Sequence, residues 1–403
     1  MMMTQGTNSQ HYKAIKSDND AINVAYHVAD LALEERNQRD QQRILPTEVI
    51  QQLAKKGLTT VRIPHEYGGA HVSHLTLTRI FRILSKADAN VGQIPQNQFA
   101  ILQIIELIGS KEQKQFVYQE ILNGKFLANG GPEKNAPNVK TLSTQLTITD
   151  DGHFISGKKF YSTGSSFADW LAIKALHPEG HVVLVLVERQ AQGVEVINDW
   201  NGFGQRTTSS GTVTLNHVKI DPFLIFDERI LTEQLNFRGA YSQIMQAAID
   251  VGIAEGAYQD LVSTVKKARP IVDANVEHAS QEPYLLQEVG RLDVTLQASI
   301  LLLNEAAEVL DTLEQQSHLT EADLAKASIA VAEAKIYAHH AALNVSEKLI
   351  ELGGSRSSLA KYNLDQHWRN ARVHTLHDPV RWKYYALGNY YLNQKFPARH
   401  AWI

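Results

Sequence analysis

The residues of this chain that are best suited to proton transfer lie close together near its C-terminus. His374, His377 and Asp378 occur within five consecutive positions, between two stretches of helical pattern. Histidine titrates near neutral pH, and a neighbouring carboxylate can orient its ring, so this grouping suits a general acid or base. Asp378 also directly precedes Pro379, which is the pattern of an ordinary helix N-cap followed by proline. The residues alone leave both interpretations of Asp378 open.

Other kinds of reactive site are limited by the composition of the chain. There is no cysteine, so disulfides, thiolate metal sites, iron–sulfur clusters and cysteine nucleophiles are excluded. Redox chemistry would use a bound organic cofactor or a metal held by histidine and carboxylates. The chain supplies no further ligands that would complete a zinc site around His374, so we expect no metal. His374 is better interpreted as a surface or core histidine.

Length and charge indicate an ordinary globular protein of several domains. The 403 residues carry 39 Lys and Arg against 43 Asp and Glu, a formal net charge of -4, so we expect no nucleic-acid partner. No apolar run approaches the roughly 18 residues needed to span a bilayer, so we expect no membrane partner. The first ten residues are polar and lack the apolar core of a secretory signal. We therefore expect a cytoplasmic protein with a disordered tip over residues 1–18.

The elements that must position the reactive residues change their hydrophobic period twice along the chain. Residues 19–125 show helical spacing, residues 126–232 alternate as strands do, and residues 233–403 return to helical spacing. The last region contains helical stretches at about 237–268, 283–316 and 320–352, with Thr320 as a capped start. We predict a multi-domain α+β protein: an all-α N-terminal domain, a middle antiparallel β-barrel or sandwich, and a C-terminal four-helix bundle that oligomerises.

Three segments show that this order of regions resembles the acyl-CoA dehydrogenase fold over nearly the whole chain. Residues 157–164, followed by Ala168 and Asp169, resemble the family's strand beside the flavin ring. Residues 204–211 resemble its glycine–arginine–serine turn. Residues 352–354 with 369–372 resemble its C-terminal flavin-binding signature.

A narrower branch of the family fits better. Residues 268–270, 282–284 and 377–384 resemble sulfur-acquisition oxidoreductases, which are close relatives of dibenzothiophene monooxygenase. The resemblance implies an FMNH2-dependent monooxygenase that oxidises a small organosulfur compound with O2 through a flavin C4a-hydroperoxide. It also implies that a separate NAD(P)H:flavin reductase supplies the reduced FMN, and that the protein is a homotetramer.

The resemblance assigns roles to individual residues of this chain. The catalytic residues implied are His377, Asp378 and Thr163, with the Thr163 hydroxyl near flavin N5. The implied cofactor-binding residues are Asn129, Tyr161, Thr163, Ser209, Ser210, Arg269, Gly353, Gly354 and Arg369, with Asn135 a weaker candidate. Arg269 would reach the phosphate from a neighbouring subunit. Gln93, Asn97 and Trp200 would line the substrate pocket. Each has an ordinary interpretation as well: strand preference for Thr163, a turn for Asn129, core packing for Trp200, and solvated helix charges for the two arginines.

One departure from the branch bears on the substrate. Gln93 and Asn97 stand where the dibenzothiophene-oxidising relatives carry histidine and tyrosine. Amides do not titrate, so proton handling would fall on His377 and Asp378, and a small polar substrate fits better than a bulky thiophene. The alternative function is an FAD-dependent acyl-CoA dehydrogenase or nitroalkane-type oxidase with Asp378 as base, although no sequence feature supplies a CoA site. A flavin-free scaffold is a third possibility.

Overall fold

The computed structural model describes residues 15–134, 136–138 and 141–403. Most of the tip predicted over residues 1–18 therefore lies outside the described residues, as does Asn135. In the described part, the N-terminal region contains seven α-helices: α1 (Asp18–Leu33), α2 (Arg36–Gln42), α3 (Thr47–Lys55), α4 (His74–Ala87), α5 (Ala89–Gln93), α6 (Gln96–Ile108) and α7 (Lys111–Leu122). The helical pattern predicted without a break from 99 to 122 is divided between α6 and α7. The break occurs because Ser110 forms a capping box with Gln113 and starts a new helix.

The middle region forms one eight-stranded sheet from described residues. Its strands are β1 (Leu127–Gly130), β2 (Gln145–Thr149), β3 (Gly152–Lys159), β4 (Trp170–Leu176), β5 (Val182–Glu188), β6 (Val194–Ile197), β7 (Thr212–Ile220) and β8 (Ile225–Asp227). They are ordered β6-β7-β3-β2-β4-β5-β8, with β1 beside β4. Most neighbours are antiparallel, as predicted, but β1 pairs with β4 in parallel and β2 meets β4 in parallel. The sheet is mixed because β1 and β4 are joined by a long crossover that contains the β2–β3 hairpin.

The C-terminal region contains three long helices and three shorter ones. They are α8 (Ile230–Glu233), α9 (Arg238–Val265), α10 (Pro283–Glu314), α11 (Glu321–Leu352), α12 (Asp365–His374) and α13 (Arg381–Asn393). The three long helices match the stretches predicted from the sequence, and Thr320 forms the predicted cap with Asp323. None of the described helices is long and apolar enough to cross a membrane.

Helix α9 is the element around which the site is built. It runs between α4 and α11, and its alanine-rich sequence is buried over most of its length. Small residues let neighbouring backbones come close: a Cβ at Gly252 would lie 2.6 Å from the Arg82 carbonyl oxygen of α4. Close packing of this kind fixes the positions of polar side chains that the long helices carry inward.

Candidate functional site

Thr163 lies in the turn that follows β3, and its hydroxyl is bonded to a second turn. Because β3 ends at Lys159, residues 160–164 do not continue the strand that the resemblance implied, and β-propensity does not explain Thr163. Thr163 Oγ1 lies 2.8 Å from Ser210 Oγ, which in turn lies 2.7 Å from Thr208 Oγ1. The amide of Gly164 donates to the Thr208 carbonyl at 3.0 Å. Three buried hydroxyls are thus collected at one point.

Helix α5 and strand β1 pack against these turns and bring further polar residues to them. Asn90 Oδ1 of α5 accepts a hydrogen bond from the Thr207 amide at 3.1 Å. A Cβ at Gly164, where φ is +84°, would lie 3.6 Å from side chains of both Ile94 and Ala128. Gln93 and Asn129 directly adjoin these two contact residues. The structure therefore places Gln93 and Asn129 one residue away from contacts of the Thr163 turn, and Asn97 is half-buried in the first turn of α6.

The loop that follows Asn129 is fixed by a buried ion pair. Lys159 Nζ, which is fully buried, lies 2.7 Å from Glu133 Oε1. Burial opposes ionisation of Glu133, but hydrogen bonds from Lys159 and from Ser143 and Thr144 lower the pKa of its carboxyl to about 2. The carboxylate is therefore permanently charged at neutral pH, and it ties β1 to β3 next to the Thr163 turn.

Two aromatic side chains lie next to Thr163. Tyr161 is half exposed, and its ring meets Trp200 edge-on with 5.9 Å between centroids. Trp200 is held by a hydrogen bond from its indole Nε1 to the Gln205 carbonyl at 2.7 Å. The backbone N–H of Gln205 donates to Asn370 Oδ1 of α12 at 2.7 Å. The Trp200 ring is therefore fixed in position. The bond between Gln205 and Asn370 also joins α12 to the turn that carries Ser210.

His377 and Asp378 follow α12 and form a hydrogen-bonded pair. His377 Nδ1 lies 3.2 Å from Asp378 Oδ1, and Lys383 Nζ lies 3.3 Å from Asp378 Oδ2. Burial would raise the pKa of Asp378, but the His377 hydrogen bond and the charges of Lys335 and Lys383 hold it well below the ordinary value. The carboxylate is therefore ionised throughout the physiological range. It does not cap a helix, because α13 begins only at Arg381 with Val380 at the N-cap.

His374 belongs to the core. Its Nδ1 lies 2.5 Å from Asp250 Oδ1 of α9, and the other Asp250 oxygen lies 2.8 Å from Lys335 Nζ of α11. Burial lowers the pKa of the His374 imidazole, although Asp250 opposes this, so the ring is neutral at pH 7. The buried Asp250 carboxyl has a pKa lowered to about 2 because Lys335 and His374 outweigh the effect of burial. The core interpretation of His374 is confirmed, and the surface alternative is wrong.

Arg369 uses all five of its N–H donors inside the chain. Its Nη1 and Nη2 atoms form a fork on Asp40 at 3.2 and 2.6 Å. Its Nε donates to Asp365 at 2.7 Å, and the remaining donors reach the Phe203 carbonyl and Asn363 Oδ1. A phosphate could bind this guanidinium only by displacing one of these partners.

Among the described residues, none of the hydrogen-bond partners of Arg369 is another residue predicted to hold the phosphate or the flavin tail. Arg269 is exposed in the loop that follows α9. Gly353 ends α11 and is closely surrounded, since a Cβ there would lie 2.9 Å from Thr264 Cγ2. Gly354 adopts φ +67°, and a Cβ there would meet nothing within 4 Å. Ser209 is buried and bonds to Ser166, with 2.6 Å between their hydroxyl oxygens.

Several buried polar atoms on or next to the Thr163 turns have no hydrogen-bond partner among the described residues. They are Ser162 Oγ, Thr207 Oγ1 and Oε1 of Gln93, the residue before Ile94. Buried polar atoms in proteins are nearly always bonded, so such a set indicates a ligand rich in donors and acceptors. The edge of a flavin ring alternates N–H, N and C=O groups, so these residues fit a bound flavin.

A separate cavity of about 370 Å³ lies between the starts of α9 and α11 and the C-terminal residues 396–403. It is lined by side chains that include Phe237, Arg238, Phe396 and Ile403. None of the predicted site residues lines it. The candidate site is therefore defined by its side chains and not by this cavity.

Two groups of side chains in the described part of the chain have the spacing of metal ligands: His177, Glu179 and His181, and His74, Asp311 and Glu314. Neither group includes His374, His377 or Asp378. In each group a carboxylate already lies beside an arginine, Arg229 in the first and Arg62 in the second. These positive charges oppose a bound cation.

Two family models match the chain on either side of the sheet. Residues 23–125 match the N-terminal domain of acyl-CoA dehydrogenase, and residues 244–382 match its C-terminal domain. A dibenzothiophene monooxygenase of Mycolicibacterium goodii is 30% identical over 375 residues, which cover 89% of this chain and 90% of that protein. The chain therefore belongs to the acyl-CoA dehydrogenase family.

Within this family the chain is similar to monooxygenases. A probable FMNH2-dependent monooxygenase, SfnC, of Pseudomonas putida is 28% identical over 94% of this chain and 96% of its own. The crystal structure of FMN-bound TdsC from Paenibacillus sp. A11-2 superposes with a TM-score of 0.90 at 29% identity, covering 95% of this chain and 100% of that one. Methanesulfinate monooxygenase MsuC from Pseudomonas fluorescens gives 0.87 at 26% identity, covering 95% and 99%. The predicted branch is confirmed.

The residues that sequence reasoning missed are the buried partners of the reactive ones. Asp250 is the single charge within residues 239–254 of α9, and Lys335 lies in the alanine-rich stretch 327–345 of α11, two residues after Glu333. A charge that such a stretch buries must be paired, because an unpaired buried charge is very costly. That signal was available in the sequence, although the identity of the partners was not.

Proposed function

We propose that this chain is a flavin-dependent monooxygenase that uses reduced FMN and O2 to oxidise a small organosulfur compound. The observation that carries the proposal is the His377–Asp378 pair, in which a permanently ionised carboxylate holds an imidazole that can exchange protons. The FMN-bound relative and the FMNH2-dependent relative support the choice of cofactor. Both organosulfur-oxidising relatives support the substrate class.

The dehydrogenase alternative needs Asp378 to remove a proton from carbon. A general base works best when its pKa lies near the working pH. The pKa of Asp378 is instead held far below that range by His377, Lys335 and Lys383. Asp378 is therefore a poor proton acceptor, and the geometry favours the monooxygenase over an FAD-dependent dehydrogenase or oxidase.

The proposed reaction divides its work between the cofactor and the chain. Reduced FMN supplies two electrons and two hydrogens, so that one oxygen atom enters the substrate and the other leaves as water. We assign the Nδ1–H of His377 as the donor to Asp378, which leaves Nε2 as the nitrogen for proton transfer. The Thr163 hydroxyl, fixed by Ser210, is the group we assign to flavin N5. Trp200 and Tyr161 would exclude water from one side of the ring.

We assign the remaining cofactor contacts as follows. Asn129 and Ser210 would bond the ring, and Ser209 would bond the flavin tail. Gly353 and Gly354 would let backbone approach the phosphate, with Arg269 reaching it from a neighbouring subunit. Because the donors of Arg369 are used within the chain, we assign it an indirect contribution through its positive charge.

We propose that the substrate is small and polar. Gln93 Oε1 is buried without a partner among the described residues and is free to accept a hydrogen bond. Asn97 offers a second amide on the next helix. Amides on this side suit a short-chain sulfinate or sulfone, and they offer no apolar surface for three fused rings.

We also propose a homotetramer located in the cytoplasm, where an NAD(P)H:flavin reductase would supply FMNH2. Helix α13 exposes large aromatic and apolar side chains: Trp382, Tyr384, Tyr385, Tyr391 and Leu392. Surface of this kind is usual where subunits meet. Light scattering coupled to gel filtration would measure the subunit number, and a monomer would contradict this part of the proposal.

The decisive experiment compares His377→Ala with His340→Ala under single-turnover conditions with FMNH2 and O2. His340 is a matched control, since it is exposed on α11 and bonds Tyr384 instead of Asp378. We expect His377→Ala to lower the substrate oxidised per FMNH2 by at least about tenfold, a modest share of what acid–base catalysis contributes. His340→Ala should behave as wild type. Unchanged coupling in His377→Ala would refute the role of His377.

Parallel titrations separate the proposed function from its alternatives. We expect FMN to bind more tightly than FAD, and methanesulfinate or dimethyl sulfone to be oxidised faster than dibenzothiophene. Tight binding of FAD with bleaching by an acyl-CoA or a nitroalkane would instead establish the dehydrogenase or oxidase. The absence of any flavin binding would favour a scaffold.

A further inference from the structure

Lys383 is a buried charge that connects the site to the C-terminal end of the chain. Its side chain is 2% exposed, in the first turn of α13. Besides lying 3.3 Å from Asp378 Oδ2, Nζ donates a hydrogen bond to the backbone carbonyl of Trp402. Burial lowers the pKa of Lys383, although Asp378 opposes this. The side chain has two partners, both fixed by other parts of the fold.

The Trp402 carbonyl is held in place from the side of α9. Gln243 Nε2 of α9 donates to the neighbouring Ala401 carbonyl at 3.1 Å. A Cβ at Gly239 would lie 2.7 Å from the Ile403 carbonyl oxygen, so the last residues lie directly against this helix. Ile403 is buried. Lys383 is thereby anchored at one end and directed at Asp378 from a fixed position.

We infer that Lys383 is a positioning residue that acts through Asp378 on His377. The Trp402 carbonyl holds the ammonium of Lys383, and the ammonium forms an ion pair with Asp378 Oδ2 while Oδ1 faces His377 Nδ1. Lys383 thus balances the charge that His377 faces and keeps the ring in one orientation. The consequence for oxygen transfer rests on the proposed function, whereas the effect on the imidazole does not.

Other charged and titratable groups around the pair do not replace Lys383. They are Lys335 and His339 of α11, Asp250 of α9, and Arg372 and His374 of α12. Lys335 affects Asp378 electrostatically, but its hydrogen bond goes to Asp250 at 2.8 Å. Without Lys383, Asp378 would keep His377 as its direct partner, and Lys335 would be the remaining ammonium that acts on it, from a position bonded to Asp250. The less compensated carboxylate would then stabilise the protonated ring more strongly.

The test is an NMR titration of the His377 imidazole in the FMN-free full chain, with ¹⁵N-labelled histidine. In Lys383→Met we expect the midpoint of the His377 titration to rise by about one pH unit, the smaller end of the effect of an adjacent opposite charge. Lys383→Arg keeps the charge and should stay close to wild type. Tyr384→Phe is the matched control, since this neighbouring side chain bonds His340 and should not move the midpoint.

A second variant keeps the inference testable if methionine prevents folding. Lys383→Gln is neutral and can still donate to Asp378 and Trp402, so the midpoint should rise there too. A shift no larger than that of Tyr384→Phe, or an equal shift in Lys383→Arg, would overturn the inference. In oxygen-transfer assays, Lys383→Met alone should reduce the substrate oxidised per FMNH2. When it is added to His377→Ala, it should cause no further loss. Independent, additive losses would indicate a merely structural role.

The two proposals fail in distinguishable ways. A shifted midpoint in a protein that oxidises no organosulfur compound would leave the positioning role and remove the proposed function. An unshifted midpoint in a protein whose coupling depends on His377 would do the opposite.

Discussion

Replacing Arg369 distinguishes a structural role from a phosphate-binding one. Asp40, which is 1% exposed, receives two hydrogen bonds from the Arg369 fork and a third from Asn363 Nδ2 at 2.9 Å, whereas the only other cation in ion-pair range among the described residues, Arg206 Nη1, is 4.0 Å away. Removing one partner of a buried ion pair costs about 3–5 kcal/mol, because the other charge is left without compensation. We expect Arg369→Met to lower the free energy of unfolding by that amount.

Arg369→Lys separates charge from geometry. Lysine keeps the positive charge but places its donors on one atom, so the fork on Asp40 and the bonds to Asp365 and Asn363 are not all possible. We expect a loss of about 1–3 kcal/mol, corresponding to a few charge-assisted hydrogen bonds. The affinity of the folded protein for FMN should change less than about twofold, because no donor of Arg369 faces a ligand.

Urea denaturation of the FMN-free protein at one fixed concentration measures the first quantity, and fluorescence titration with FMN measures the second. Arg291→Met is the control for stability, because Arg291 bonds Glu288 at the surface of α10 and should leave the urea midpoint unchanged. A wild-type midpoint in Arg369→Lys together with FMN binding weakened tenfold or more would refute the structural role. It would assign Arg369 to the phosphate.

Two further predictions concern buried titratable side chains of α11, Lys335 and His339. Lys335→Met should lower the free energy of unfolding by about 3–5 kcal/mol, because it leaves Asp250 with one partner. Lys348→Met removes a surface ion pair on the same helix and should lower it much less. Urea denaturation measures both values, and equal losses would contradict the pairing of Lys335 with Asp250. His339 is buried, which lowers its pKa to about 4, so between this value and the unfolded value near 6.5 the unfolded chain binds more protons. The free energy of unfolding should therefore fall by up to about 3 kcal/mol as the pH drops from about 6.5 to 4, and His339→Gln should reduce that slope; an unchanged slope would show that another group is responsible.

Much of the fold was predictable because its signals are local. The change from helical to alternating spacing and back is a property of short windows of sequence, and it located the sheet between two helical regions. Thr320 and the glycine turn of the β2–β3 hairpin use hydrogen bonds within a few residues. The parallel pairing of β1 with β4 was not predictable in this way, because it depends on which distant strand lies beside β1.

The candidate site divides along the same line. Residue types and their order singled out His377 and Asp378 as candidates, and the resemblance added Thr163 and implied that all three lie beside a flavin. The sequence did not reveal that Thr163 bonds Ser210, that Arg369 binds the distant Asp40 and Phe203, or that Asp378 caps no helix. These facts depend on long-range contacts, and a linear pattern contains no record of them.

The sequence by itself determined the kinds of group available for chemistry: imidazoles and carboxylates near the C-terminus, hydroxyls in the middle, and no thiol anywhere. Only the tertiary structure decided which of them can exchange a proton. Asp378 and Asp250 are fixed as anions by buried lysines, and His374 is kept neutral by burial. A side chain's charge depends on its solvent exposure and on the charges within a few ångströms, and folding sets both. His377 is part-exposed and bonded through one nitrogen, and it is the group to which we propose to assign proton transfer.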